Sequence, residues 1–413
     1  MLEASFFRRT FRAFRHRDFR IMWMGACAST IGTFVQQFAQ SWLVYDLTKD
    51  PFYLGLDLFL GQLPIILFSL IGGVFADRLD RRKMLLGSQY IQMFCAFLLA
   101  ALFYTHTVRI WEILALSFVV GLGQSFGGPA YSALLPTLVT PEDLSNAIAM
   151  NSIQFNLARV LGPALGGLTY ATVGATWCFT LNGVSYLAVI ASLMMVQVKF
   201  IPQKSRESIL KSMKEGLQFI REREGLSTLV FLAFFTTLLG FSLTGFLPVI
   251  VQGVFHGGTQ IYQVLLICSG AGSIVGALLV AASEKPDQGY IVLLTLIGLG
   301  AAITGFALST QLLLSCLLIF LCGVAVMASA SLMLSLVQLI VADHMRGRVM
   351  SVYNLAFRLG IPVGSLALGK IIPITGISPA LMGTGVLLIA IALYFVIAMR
   401  NVTLFRRAAR ETS

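Results

Sequence analysis

Charge is what this sequence has least of. Only 11% of its 413 residues are Asp, Glu, Lys or Arg, while 57% are hydrophobic; soluble domains carry roughly 25% charged residues. A water-soluble core of this length could not hide so much apolar surface, so lipid is the expected solvent. Histidine is also scarce: the four, His16, His106, His256 and His344, lie at loops or termini. No Ser-His-Asp arrangement and no metal-ligand spacing stands out. The six cysteines (Cys27, Cys95, Cys178, Cys268, Cys316 and Cys322) fall in apolar stretches without a CxxC pair and read as small buried hydrophobes. Gly364-Ser-Leu-Ala-Leu-Gly369-Lys370-Ile371 approaches a phosphate-binding loop. It has Ile where Ser or Thr is required, and it sits inside an apolar run rather than after a strand. The expectation is therefore a protein that is not an enzyme, with no metal and no cofactor.

What is present is a succession of apolar runs of roughly 20 residues, each long enough to span a bilayer as a helix. They cover 20–46, 54–76, 84–106, 111–136, 145–172 and 176–198, then 226–252, 260–282, 289–309, 311–340, 349–374 and 377–399. The Arg-rich start, residues 1–20, leads into a full-length span rather than a short apolar core with a cleavage site, so no cleavage is expected. With the N-terminus cytoplasmic, the inside segments hold 24 of the 29 Lys and Arg residues. That asymmetry orients the chain with both ends in the cytoplasm of a cell (inner) membrane. The net charge of +11 then reflects topology and anionic lipid headgroups, not nucleic acid.

The longest break, 199–225, carries Ile209, Met213, Leu217 and Ile220 at helical spacing among charges. It reads as an amphipathic helix on the cytoplasmic membrane surface, dividing the chain into 1–198, the linker 199–225, and 226–413. The halves are related at an offset of 199 residues, which matches Ser152 with Ser351, Arg159 with Arg358 and Pro163 with Pro362. Duplicated halves of six spans are an architecture of secondary transporters. The fold class is an all-α membrane protein of about 12 transmembrane helices in two pseudo-symmetric six-helix bundles.

Between the second and third runs stands Gly73-Val-Phe-Ala-Asp77-Arg78-Leu-Asp-Arg81-Arg82-Lys83. This G-x-x-x-D-R-x-x-R-R string resembles the signature loop of the major facilitator superfamily. The resemblance implies a conformational latch formed by Gly73, Asp77, Arg78, Arg81 and Arg82, with Gly73 permitting a close helix crossing. The corresponding stretch of the second half, Gly276 to Lys285, keeps Glu284 and Lys285 but has lost the Asp-Arg pair. Ala158-Arg159-Val-Leu-Gly162-Pro163-Ala-Leu-Gly166-Gly167 is similar to a second motif of that superfamily, typical of exporters, with Ala158 in place of its first Gly. Gly162, Pro163, Gly166, Gly167 and, in the second half, Pro362 are its hinge and packing residues. The alternative is an ordinary proline-kinked packing helix. With Ser41-Trp-Leu-Val-Tyr-Asp46 and Arg346-Gly-Arg348-Val-Met-Ser351 added, the whole chain resembles the bacterial drug-efflux branch that includes enterobactin exporters and macrolide efflux proteins.

A charge in mid-membrane is a functional candidate by default. Arg159 and Arg358 either form a cationic cavity for an anionic or phenolic substrate or donate to carbonyls freed by Pro163 and Pro362. For proton coupling the candidate acids are Asp57, then Asp46, then Glu112, all near span ends; interfacial solvation or pairing with Arg109 or Lys49 is the bland alternative. Polar stripes at helical spacing, Ser29, Thr33, Gln36 and Gln40 in the first run and Ser331, Ser335 and Gln338 in the tenth, either line a cavity or join helices. Ser152, Asn156 and Arg159 form a third stripe, and Gln62, Tyr131, Asn182 and Tyr186 are weaker candidates. The reading is a monomeric secondary active exporter. It moves small amphipathic organic molecules, drug- or siderophore-like, by alternating access, with the proton gradient as energy source and lipids as surroundings. A lipid or lysolipid translocator, or a non-transporting receptor or scaffold on the same fold, are the alternatives.

Overall fold

A computed structural model describes residues 11–196, 209–282 and 288–400. Every long element in it is an α-helix. In the first half these are α1 (Arg17–Thr48), α2 (Pro51–Arg78), α3 (Arg81–Tyr104), α4 (Ile110–Leu134), α5 (Leu144–Val173) and α6 (Ala175–Met195). The short α7 (Ile209–Arg221) leads into α8 (Glu224–Leu239), α9 (Leu247–Gly253), α10 (Thr259–Ala281), α11 (Gln288–Leu308), α12 (Leu312–Ile340), α13 (Asp343–Thr375) and α14 (Ile377–Arg400). Among the described residues, ten helical segments are long and apolar enough to cross a membrane. Twelve is reached only by adding α1 and α5. These two fall short because they carry the polar residues, Thr30, Thr33, Gln36 and Gln40 in one, Asn151, Gln154, Asn156 and Arg159 in the other.

The seventh expected span, 226–252, is not one helix. It breaks after Leu239 into a 3-10 segment, Phe241–Phe246, and resumes as α9. Gly240 closes α8, and Pro248, which has no N–H to donate, falls in the first turn of α9.

The chain divides into two compact units, Met1–Thr48 with Leu60–Arg206, and Lys49–Phe59 with Glu207–Ser413. In the first unit α1 packs on α5 and α6, and α3 packs on α4 and α6. In the second, α8 packs on α13, and α11 packs on α12 and α14. Counting α8 and α9 as one broken span, these pairs match α1 with α5, α3 with α4 and α3 with α6. The two units thus repeat three helix pairings. Close crossings also correspond: a side chain at Gly121 of α4 would overlap the Gly61 carbonyl of α2, and one at Gly272 of α10 would overlap the Phe320 carbonyl of α12. Small residues at such crossings let backbones approach where lipid supplies no hydrophobic drive between helices.

The linker helix α7 has a protein partner. Gly216 and Ile220 are buried, α7 packs on α13, and Glu215 pairs with Arg348 at 2.8 Å. Leu217 stays 42% exposed. The expected surface helix is therefore docked on the second unit by one face and leaves another face open.

Candidate functional site

The basic turn between α2 and α3 does more than set topology. Asp80 caps α3 by accepting from the Arg82 N–H (3.0 Å) and the Lys83 N–H (3.4 Å). Arg81 donates through Nε to the Ala76 carbonyl (3.1 Å) and through Nη1 to the Ala133 carbonyl (3.0 Å). Arg82 Nη2 donates to the Met194 carbonyl at 2.8 Å. Those carbonyls lie in the last turns of α2, α4 and α6, where helices leave acceptors unsatisfied and carry partial negative charge. Two arginines thus fasten three helix ends of the first unit together. Arg78 is exposed. The side chain of Asp77 lies outside the described residues, as do Glu284 and Lys285. Gly73 does not make the close crossing expected of it: a Cβ there would meet nothing within 4 Å, whereas one at the neighbouring Gly72 would overlap the Ser125 carbonyl of α4. The contact is made one residue earlier, because one residue rotates a helix position by about 100°.

Inside the first unit the polar side chains of α1 are tied to three other helices. Asn182 Nδ2 of α6 donates to Gln36 Oε1 at 2.7 Å, Gln36 Nε2 donates to Gln40 Oε1 at 3.2 Å, and Gln40 Nε2 donates to Ser117 Oγ of α4 at 2.9 Å. Thr33 and Tyr186 meet hydroxyl to hydroxyl at 3.5 Å. Tyr186 donates to Gln92 Oε1 of α3 (3.2 Å), which also accepts from Gln124 Nε2 of α4 (3.2 Å). Gln92 Nε2 donates to Ser88 Oγ (3.0 Å), and Ser88 donates to the Gly123 carbonyl (2.8 Å). Ser29, Ser88, Gln92, Asn182 and Tyr186 are buried, while Thr33, Gln36, Gln40 and Gln124 are half-buried. The network joins helices at its buried end and presents carboxamides at its open end. All its groups are neutral, so it can recognise a ligand by hydrogen bonds without selecting a charge.

Asn182 and Tyr186, weaker candidates by sequence, are central to the network, and Gln92, Ser117 and Gln124 join it without being among the sequence candidates. A periodic signal exists for these three: Ser117, Gln124 and Tyr131 step by seven along α4, and Ser88 and Gln92 by four along α3, so each set shares a helix face. Tyr131 donates to Asn151 Oδ1 at 2.8 Å, and Gln62 is half-buried.

On α5 the residues facing α1 step by four. Trp23 Nε1 donates to the Met150 carbonyl at 2.9 Å, and Gln154 Nε2 donates to Thr30 Oγ1 at 2.7 Å. Ala158 is fully buried. A side chain at Gly162 would overlap Phe34, and one at Gly166 would crowd the Phe38 ring at 3.2 Å. Pro163 and Gly167 are buried beside them, and Pro362 is buried in α13. Ser152 and Asn156 turn away from this seam: Ser152 is exposed, and Asn156 Nδ2 donates to the Ser152 carbonyl at 2.9 Å. Arg159 is half-buried, with its guanidinium 5.4 Å from the Phe155 ring centre. Arg358 is exposed. Among the described residues, neither arginine donates to a carbonyl freed by its proline.

The acids separate by environment. Asp57 is 7% exposed, Asp46 is exposed, and Glu112 accepts from the Arg109 backbone N–H at 2.9 Å as the cap of α4. On α12, Ser331 and Ser335 are half-buried and Gln338 is exposed. At the start of α5, Asp143 accepts from His16 (2.9 Å) and lies 3.0 Å from the Arg12 guanidinium. The His16 hydrogen bond first, then the Arg12 charge, hold its carboxyl below the usual range against the opposing cost of burial.

Comparison with known proteins adds three findings. The description of the transmembrane secretion effector family matches residues 8–411. The chain is 23% identical over 389 residues to macrolide efflux protein A of Streptococcus pyogenes, covering 91% of this chain and 94% of that one. It is 25% identical over 397 residues to the enterobactin exporter EntS of Escherichia coli O1:K1, covering 92% of each. Among solved structures, a bacterial homolog of the human lysosomal transporter Spinster, in an inward-facing and unoccupied conformation, superposes with a TM-score of 0.67 at 14% identity. That match covers 95% of this chain and 97% of the other; at such identity it speaks for the fold alone. With two helical units that repeat their pairings, the basic turn and a family match along nearly its whole length, the chain belongs to the transmembrane secretion effector family of major facilitator superfamily transporters.

Proposed function

We propose that the protein exports small amphipathic organic molecules, of macrolide- or siderophore-like character, across the cell inner membrane by proton-coupled alternating access, with both termini in the cytoplasm. The observation that carries this reading is similarity to a macrolide efflux protein and an enterobactin exporter along more than nine-tenths of the chain. The interior of the first unit supports the substrate class. Its half-buried carboxamides, Gln36, Gln40 and Gln124, suit oxygen-rich molecules, and Arg159, half-buried on α5, is the proposed cation for an acidic or phenolic group. Among the candidate acids, Asp57 fits proton coupling best, because its carboxyl is buried; Asp46 is exposed and Glu112 is committed to a helix cap.

The test is accumulation in a host lacking its own efflux pumps. Expression is expected to lower the steady-state content of radiolabelled erythromycin or of an iron-free catecholate siderophore. A protonophore is expected to restore it. Unchanged accumulation of both probes, with the protein present in the membrane, would reject the reading.

A further inference from the structure

The linker helix α7 has two faces with different tasks. At about 100° per residue, Met213, Gly216 and Ile220 fall on one side, and the structure buries the last two there. A side chain at Gly216 would come within 2.6 Å of the Arg348 carbonyl, so α7 and α13 touch backbone to backbone. Glu215 secures one flank through its 2.8 Å pair with Arg348. Continuing around the helix from the opposite flank come Leu217, Arg221 and Lys214, all exposed. The docked sector thus grades into one exposed apolar residue and then into two cations. Lipid interfaces favour that order, with an apolar edge at the acyl boundary and long basic side chains reaching the headgroups.

We propose that this Leu217–Arg221–Lys214 face of α7 is a binding surface for anionic phospholipid headgroups of the cytoplasmic leaflet. Docking by Gly216, Ile220 and the Glu215–Arg348 pair fixes the rotation of α7, so the cations are presented in advance rather than recruited on contact. The second unit would thereby be held at the leaflet by charge. The proposal rests on the orientation proposed above, which puts this segment, with its seven Lys and Arg between residues 199 and 225, on the side where anionic headgroups are encountered.

The test compares the full-length protein in nanodiscs of phosphatidylcholine alone with nanodiscs that also contain phosphatidylglycerol, by amide hydrogen exchange across 209–221 and by thermal melting. Phosphatidylglycerol is expected to slow exchange in α7 and raise the melting temperature of the wild type, and added salt is expected to erase both effects. Lys214→Gln with Arg221→Gln is expected to weaken the phosphatidylglycerol response about thirtyfold while melting like the wild type in phosphatidylcholine. Glu215→Gln leaves both cations in place and is expected to keep a phosphatidylglycerol response. The proposal is overturned if the double variant keeps the full response, if the wild type shows none, or if soluble polyphosphate protects α7 in phosphatidylcholine as well as phosphatidylglycerol does. Should the double variant fail to fold, the salt and polyphosphate experiments on the wild type still decide it.

Discussion

The seam between α1 and α5 in the first unit and the seam between α8 and α13 in the second join corresponding helices by different chemistry. The first is stitched by side chains: Arg12 and His16 to Asp143, the Ala13 N–H to Asn146, Trp23 to the Met150 carbonyl, and Gln154 to Thr30. Aromatic contacts serve both, Phe34 with Phe155 in the first for instance, but the second relies more on backbone approach, with Ser242 donating to the Ile361 carbonyl at 3.5 Å. A side chain at Gly360 would overlap Thr237, one at Gly364 would overlap the Leu238 carbonyl, and Phe241 meets Phe357 edge to face at 5.7 Å. The offset of 199 sets Gln154 opposite Tyr353, whose buried hydroxyl has no partner among the described residues. The units differ in the same sense. The first unit holds the carboxamide network. The second has an open crevice of about 520 Å³ among α10, α11 and α12, lined by small and apolar residues such as Gly298, Ala301 and Ala325, the first two exposed. Its one lining hydroxyl, Thr295, donates to the Val292 carbonyl and accepts from Ser329. The two units share which helices pair and differ in how those helices are joined.

That contrast can be broken experimentally. The largest effect is expected at the backbone contacts. Gly364→Ala drives a methyl group into a carbonyl that cannot move without its helix, and should destabilise by about 3 kcal/mol or more. Gly162→Ala drives its methyl into the Phe34 Cβ, which is as fixed to its helix as a carbonyl, and should cost a similar amount. Gly183→Ala meets the Phe97 ring, which can turn aside, and should cost about 1–3 kcal/mol. Thermal melting in detergent checks the order, and equal losses at all three would erase the distinction. Next come the paired arginines. Arg159→Gln should weaken binding of an anionic substrate about 10- to 100-fold, the scale of a hydrogen bond to a charged group, while leaving neutral probes unaffected. Arg358→Gln, at an exposed position, should change binding less. Equal loss of anionic and neutral probes would make Arg159 structural.

Smaller again is the exchange of single polar groups. Tyr353→Phe removes a buried hydroxyl with no partner and should be neutral or stabilising by about 1 kcal/mol, whereas Trp23→Phe removes an interhelical hydrogen bond and should cost about 0.6–1.7 kcal/mol. The smallest effect is a pH dependence confined to the first seam. The Asp143 carboxyl is held below its unfolded value of about 3.9. Its contribution is therefore present above that pH and fades as pH falls through the folded value. Protection of residues 11–16 from proteolysis should drop below about pH 4 in the wild type. Asp143→Asn should show weaker protection with no such drop.

How much of this was legible beforehand depended on phase. Apolar runs, the Arg81–Arg82 turn, the glycines of α5 and the 199-residue offset are properties of one segment at a time, and periodicity or spacing reveals them. Contacts between segments depend on the rotation of each helix, and an error of one residue turns a side chain by about 100°. That is why Gly73 was expected where Gly72 makes the crossing. Gln92 and Gln124 were legible as well, since Ser88 with Gln92 and Ser117 with Gln124 and Tyr131 form single-helix stripes; what spacing could not give is that these stripes meet Gln36 and Gln40 in one network. The break in the seventh span was written in Gly240 and Pro248, yet the apolar run over them concealed it. The docking of α7 was hidden in Gly216, which reads as a blemish in an amphipathic helix until Arg348 is placed against it.

Transport itself is the claim on which the rest depends. Everted membrane vesicles carrying the protein, energised by an imposed proton gradient, should take up labelled erythromycin or catecholate siderophore. Asp57→Asn should abolish that uptake while leaving binding of the same probe intact. Uptake by the Asp57→Asn variant at the wild-type rate, or wild-type uptake that ignores collapse of the gradient, would contradict a proton-coupled exporter.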